Sequence, residues 1–225
     1  MQTLVEGIHH FQQHVFPSKL RLFKRLAKGQ QPIALLIICS DSRINPNLIT
    51  HTEPGELFII RNVGNMVPPY GAGNNGEAAA IEYAVSELGV KDIVVCGHTH
   101  CGAMTAILEP RRSDRLPALR RWLRHGQATA RIIGENYAHL RGQALLNATA
   151  QENVLVQLQH LATHPAVAVR LARHDLNLHG WMYKIETGHV FRYAPDENQF
   201  VPIEHVVAAV EAPRSLLPGI VRQPA

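Results

Sequence analysis

Two apolar runs in this 225-residue chain end in groups that bind metals. The first, Ile33-Ala-Leu-Leu-Ile-Ile-Cys39-Ser-Asp41-Ser-Arg43, stops at a thiol, a carboxylate and a guanidinium. The second, Asp92-Ile-Val-Val-Cys-Gly97-His98-Thr-His-Cys101-Gly102, stops at an imidazole and another thiol. Two thiolates, an imidazole and a carboxylate suit zinc, which accepts sulfur, nitrogen and oxygen ligands in tetrahedral geometry. In an open parallel sheet, ligands bind beyond the carboxyl ends of the strands where the strand order reverses, and a flavodoxin-like order places the first and third strands together there. Cys39 and His98 are then neighbours, and Cys101 follows at the start of the next helix, where the positive helix terminus favours a thiolate.

Other chemistries fit these residues less well. A Cys39 nucleophile with Arg43 gripping an oxyanion needs a cradle of backbone N–H groups, usually opened by glycine. Cys39 to Arg43 contains no glycine, and Asp41 would repel a phosphate. Gly71-Ala-Gly73-Asn-Asn-Gly76 satisfies the dinucleotide fingerprint by letter, but Pro68-Pro69-Tyr70 separates it from the preceding strand, and Asp92 begins a strand instead of ending one. It is read as a glycine-rich connection. Strand alternation carried past His98 turns His100 to the opposite side, so it is read as non-ligating, and Cys96 is read as a small buried hydrophobe.

The elements that must position these groups follow from periodicity. Leu4, Ile8, Phe11 and Val15, then Leu20, Phe23 and Leu26, recur at helical spacing around Pro17 and describe a helical arm over residues 1–28. Residues 33–38 are apolar at every position, as a parallel strand covered on both faces requires. Further strands are expected at 56–61, 92–97, 176–185 and 190–193, with helices over 45–50, 75–88 and most of 102–173, the last broken near Pro110, Pro117 and Pro165. Strand, helix and strand joined at this spacing give a parallel sheet with right-handed crossovers. From about residue 195 the prolines predict an extended tail. The expected fold is α/β, a mostly parallel central sheet flanked by helices, in one domain spanning residues 1–225.

Composition narrows the class. Hydrophobic residues at 46% and charged residues at 18% describe an ordinary globular protein. The amino terminus lacks the pattern of a signal peptide and no apolar run reaches the ~20 residues of a membrane span, so a cytoplasmic protein is expected. Three cysteines without an export signal argue for thiols rather than a disulfide framework. Six arginines between Arg111 and Arg124 invite a nucleic-acid reading, but Leu116, Leu119 and Leu123 at helical spacing make the segment the solvated face of an amphipathic helix. Neither a nucleic-acid partner nor a membrane is expected.

Cys39-Ser-Asp41-Ser-Arg43 paired with Gly97-His98-Thr-His-Cys101-Gly102 resembles the signature of the β-class carbonic anhydrases, in the bacterial, cyanobacterial and plant-type branch. The likeness extends through Glu53 to Asn62, Ile81 to Val85 and Leu178 to Tyr183, about residues 3 to 203 in all. It implies one Zn2+ per chain on Cys39, His98 and Cys101, with Asp41 either as fourth ligand or paired with Arg43 to leave that position to water. The implied activity is reversible hydration of carbon dioxide to bicarbonate and a proton, by attack of zinc-bound hydroxide under an Asp41–Arg43 gate. Gln30, Phe58, Val63 and Tyr83 match positions lining the CO2 pocket, several lent by a partner subunit, and the Gly102 N–H matches one facing bicarbonate. A homodimer or an assembly of dimers is implied, and carboxysomal association is left open. Arg61 and Tyr183 match two members of a regulatory bicarbonate site, but Leu36 replaces its tryptophan, and Glu87 stands where plant members carry a shuttling histidine. The alternative from a different class is a binding module whose zinc site is closed by four protein ligands and does no CO2 chemistry.

Overall fold

The structure is a computed structural model that describes residues 1–72 and 76–203. Its centre is a six-stranded sheet in the order β2-β1-β3-β4-β5-β6, formed by β1 (Ala34–Cys39), β2 (Leu57–Asn62), β3 (Asp92–His98), β4 (Asn177–Tyr183), β5 (Val190–Ala194) and β6 (Gln199–Pro202). Strands β1 to β4 pair in parallel, and β5 and β6 add antiparallel pairs at one edge. Leu35 to Cys39 and Ile93 to His98 are buried at every position, as strands covered on both faces must be. The order reverses between β1 and β3, where Leu35↔Ile93 through Ile38↔Cys96 are paired. Both carboxyl ends therefore finish at one level of the switch point.

The helix Gly142–Ala162 packs across β3 and β4. Its close approach depends on two glycines. A Cβ at Gly97 would lie 2.7 Å from Met182 Sδ and 2.8 Å from Val154 Cγ2, and one at Gly180 would lie 2.9 Å from Val154 Cγ1. The short helix Gly102–Leu108 leaves β3 directly and buries Ala103, Met104, Ala106 and Ile107.

Several expectations shift. The first two strands lie one residue later than read, at 34–39 and 57–62, so Cys39 ends β1 from within the ladder. The amino-terminal arm is helical over Gln2–His10, widens to a π-type turn at Phe11–Val15, and continues as Phe16–Ser18 and Leu20–Leu26. Pro17 has no N–H to give and its ring crowds the preceding turn, and the wider turn accommodates it. The helix expected over 75–88 is helical from Gly76 to Glu82 and π-type from Tyr83 to Glu87, and its first residue lies outside the described residues. The expected breaks fall at Pro110 and Pro117, so the arginine-rich segment is not one amphipathic helix. Pro110 and Pro117 each open a new short piece, giving Pro110–Ser113, Pro117–Trp122 and Leu123–Gly126, with Leu123 buried, Leu119 half-buried and Leu116 exposed. The extended tail is also corrected at its start, because Gln199–Pro202 pairs with β5 as β6. The rest of that tail, from residue 204, lies outside the described residues, as do Gly73 to Asn75 of the glycine-rich connection.

Candidate metal centre

Cys39 closes β1, His98 closes β3, and Cys101 caps the helix that begins at Gly102. One ligand atom from each lies within 4.8 Å of the others, and all three residues are buried. The imidazole shows its tautomer. His98 Nδ1 lies 2.8 Å from the Thr99 carbonyl, to which it donates, so Nε2 carries the lone pair. That Nε2 is buried without a hydrogen-bond partner in a residue 0% exposed. An unpartnered buried nitrogen is costly in a folded protein unless a ligand completes it, and here it sits with two thiols. The donor set, two sulfurs and a neutral imidazole with its second nitrogen anchored to a carbonyl, fits a zinc ion.

The thiols show the same strain. Contact with the Cys101 thiol holds the Cys39 thiol down to about 4, helped by His98 and the Gly64 amide and opposed by burial. That contact and burial push Cys101 up, against the amides of Met104 and Ala103 at the helix start. Two buried sulfurs this close cannot both ionise without a cation between them. The third cysteine is inert: burial pushes the Cys96 thiol up to about 12 inside β3.

Asp41 stands beside this cluster, outside the three-residue group that the ligand geometry picks out among the described residues. Its oxygens face Arg43, whose Nε and Nη2 donate to Oδ1 at 2.9 Å and Oδ2 at 2.7 Å, and whose backbone N–H donates to Oδ1 at 3.0 Å. These bonds hold the Asp41 carboxyl well below the usual carboxylate range. Arg43 also donates to the His100 carbonyl at 3.0 Å. The reason given for excluding His100 does not hold, since β3 ends at His98 and His100 turns at φ +56. His100 nevertheless lies outside the cluster, with its Nε2 3.6 Å from Glu186.

Sequence reasoning missed the supports. Arg61 donates to three carbonyls of the site loop, Cys39, Asp41 and Ile44, at 2.9–3.3 Å. Leu36, in the tryptophan's place, is a buried apolar residue of β1. The Gly64 N–H donates to Cys39 Sγ at 3.3 Å, in a turn the sequence marked only as Asn62-Val63-Gly64-Asn65.

The pocket residues divide: Val63 and Gly102 adjoin the cluster through Gly64 and Cys101, while Gln30, Phe58 and Tyr83 belong to other parts of the chain. Gln30 is exposed ahead of β1. Phe58 packs near Tyr83, ring centroids 6.0 Å apart, and pairs with Leu35, four residues before the Cys39↔Asn62 pair. At about 3.3 Å per residue that is roughly 13 Å along the strand. Tyr83 is 47% exposed and Val63, beside Gly64, is 42% exposed. Gly102 is exposed at the first position of its helix.

Comparisons with known proteins agree with this geometry. A family model described as carbonic anhydrase matches residues 34–190. The chain is 48% identical over 212 residues to a carbonic anhydrase of Synechocystis, covering 94% of this chain and 77% of that protein. It is 48% identical over 206 residues to one of Pseudomonas aeruginosa, covering 91% and 93%. Among solved structures, the β-carbonic anhydrase CcaA superposes with a TM-score of 0.89 at 49% identity, over 91% of this chain and 92% of that one. One of two tetrameric β-carbonic anhydrases from Sordaria macrospora gives 0.76 at 30% identity, over 85% and 95%. With both strand-end motifs inside the matched region and the sheet shared with solved members, the chain belongs to the carbonic anhydrase family, in its β class.

Proposed function

We propose that the chain holds one zinc ion on Cys39, His98 and Cys101 and hydrates CO2 reversibly to bicarbonate and a proton. The observation that carries this reading is the unpartnered Nε2 of His98 in a cluster with two thiols, with Asp41 beside them turned to Arg43. When bound, zinc acidifies a coordinated water enough to yield a nucleophile near neutral pH, a property known from the carbonic anhydrases themselves. The protein's part is orientation and solvation. A carboxylate offers about four acceptor sites, and Arg43 uses two on Oδ1 and one on Oδ2, so Oδ2 keeps a site for the O–H of an attacking water. That bond turns the water's lone pair towards the carbon of CO2. Arg43 keeps Asp41 ionised and off the metal. The Gly102 N–H, unused at the helix start, suits an oxygen of the product.

The apolar Phe58, Val63 and Tyr83 suit a small uncharged substrate. The span between Phe58 and Cys39 supports a pocket assembled from two subunits, with Gln30, Phe58 and Tyr83 lent to a neighbour. The arm supports a dimer too: Leu4 is 65% exposed and Ile8 56%, and no residue of Gln2–His10 or Leu20–Leu26 is buried within the chain. Among the described residues no helix is long and apolar enough to cross a membrane.

Stopped-flow CO2 hydration on metal-analysed protein tests the reading. Near-stoichiometric zinc with activity is expected, and Cys101→Ser should lose most of both. Full activity in zinc-free protein would overturn it, and stoichiometric zinc without hydration would favour the closed structural site.

A further inference from the structure

The Cys39 sulfur accepts a hydrogen bond from the Val63–Gly64 peptide, and the other end of that peptide is held as well. Gly64 N–H donates to Cys39 Sγ at 3.3 Å, while the carbonyl of the same peptide, Val63 O, accepts from Trp122 Nε1 at 2.8 Å. We propose that Trp122 is a positioning residue for the metal-binding sulfur, acting through this one peptide to aim and polarise the N–H that bonds Cys39. The inference rests on Cys39 being a zinc ligand.

The direction of the chain is unambiguous. An indole nitrogen only donates and a carbonyl only accepts, so the dipoles run head to tail from Trp122 to sulfur. Hydrogen bonds in series polarise one another, and groups beyond the ligands tune a metal's donors. The peptide has little freedom to choose another orientation. Gly64 sits at φ +82, where a side chain is strained, and a Cβ there would meet the Ala103 Cβ at 2.8 Å. On the far side, Asn153 Nδ2 donates to the Gly64 carbonyl at 3.1 Å, and the Asn62 side chain closes the turn through both backbone polar groups of Met66 at 2.8 Å. With these contacts in place, Trp122 holds the remaining polar group of the peptide.

The tryptophan itself is fixed. It ends the helix Pro117–Trp122 and packs edge-on to His125, ring centroids 5.3 Å apart. Val63, whose peptide it holds, is also one of the proposed pocket residues. The consequence for chemistry has a sign. A sulfur that receives a stronger hydrogen bond gives less charge to the metal, which leaves the metal a stronger acid. A Cys2His set needs that correction more than an all-imidazole set.

The test uses the full chain loaded with cobalt(II), whose sulfur-to-metal charge-transfer band in the near ultraviolet reports the electron richness of the thiolates. In Trp122→Phe the band should move to longer wavelength with metal still stoichiometric, and CO2 hydration by the zinc form should fall about 10-fold. Replacing both tryptophans, Trp122 and Trp181, by the isosteric β-(3-benzothienyl)alanine removes the N–H while keeping the shape, and should shift the band likewise. Trp181→Phe alone should leave it in place. A band unmoved in the benzothienyl protein would overturn the inference, even if Trp122→Phe failed to fold. Absence of any sulfur-to-cobalt band in the wild type would instead sink the metal-site reading on which it rests.

Discussion

A carboxylate beside a zinc site can close the metal or orient a substrate, and at Asp41 the choice depends on Arg43. Both carboxylate oxygens are engaged by Arg43, whose Nη2 also reaches the His100 carbonyl. Removing the guanidinium should free Asp41 to swing onto the metal. Arg43→Ala is therefore expected to fold and keep its zinc, yet to lose CO2 hydration by about 10²-fold, at the upper end for a group that orients a metal site. Stopped-flow rates beside metal analysis decide it, and unchanged activity would count for a zinc site that Asp41 always completes. The reactive residues were readable at this scale because their types are rare and their spacing is tight. Trp122 was not, because an indole 59 residues from the peptide it holds leaves no pattern in the chain.

Elements bring these residues together by close packing on the sheet. Gly97 stands one residue before His98, and a Cβ there would meet Val154 of the helix Gly142–Ala162 and Met182 of β4 below 3 Å, with the helix's Ala150 carbonyl at 3.3 Å. Gly97→Ala should push the helix off β3 and cost about 1–3 kcal/mol, the usual range for overpacking. Urea unfolding of the zinc-loaded protein measures it, and a loss below about 0.5 kcal/mol would show that the helix relaxes freely. Strands β1 and β3 were legible because burial on both faces demands unbroken apolar runs. In the arginine-rich segment the breaks at Pro110 and Pro117 were legible because proline interrupts a helix, and new pieces begin at both here; a single leucine face was not, because the spacing of Leu116, Leu119 and Leu123 runs across the break at Pro117.

For the whole molecule, the arm and the acid response are the measurable properties. Phe11, Phe16 and Phe23 cluster within the arm at centroid distances of 5.2–6.1 Å, while Leu4, Ile8 and Leu20 stay exposed. A surface of this kind supports the proposed dimer. Deleting residues 1–28 should give inactive protein that light scattering no longer finds as a dimer or larger assembly, although no zinc ligand is removed; an active monomer would refute the shared pocket. Burial holds His160 and His164 below the ordinary histidine value as they bond to the carbonyls of Val67 and Pro68, and it lowers His125 as well. An unfolded chain takes up protons below about pH 6.5 while these folded imidazoles resist, so stability should be full above that pH and fall as acid is added. The His160→Asn, His164→Asn double variant should lose less stability than the parent between pH 7.5 and 5.5. Comparing the two in denaturant at equal zinc loading cancels effects common to both, and parallel slopes would exclude these histidines.

The sequence by itself determined the donor set, the parallel strands that present it and the neighbourhood of Cys39 and His98, because ligand chemistry and burial on both faces each constrain residue types locally. It also carried the likeness to β-class carbonic anhydrases in two short motifs. Only the tertiary structure decided which way Asp41 faces, since a carboxylate within reach of both a metal and an arginine is ambiguous until the loop is closed, here by Arg61 on the carbonyls of Cys39, Asp41 and Ile44. The same holds for the Val63–Gly64 peptide. Backbone N–H and C=O groups recur along the whole chain and carry no mark in the sequence, so packing brings this peptide to the Cys39 sulfur.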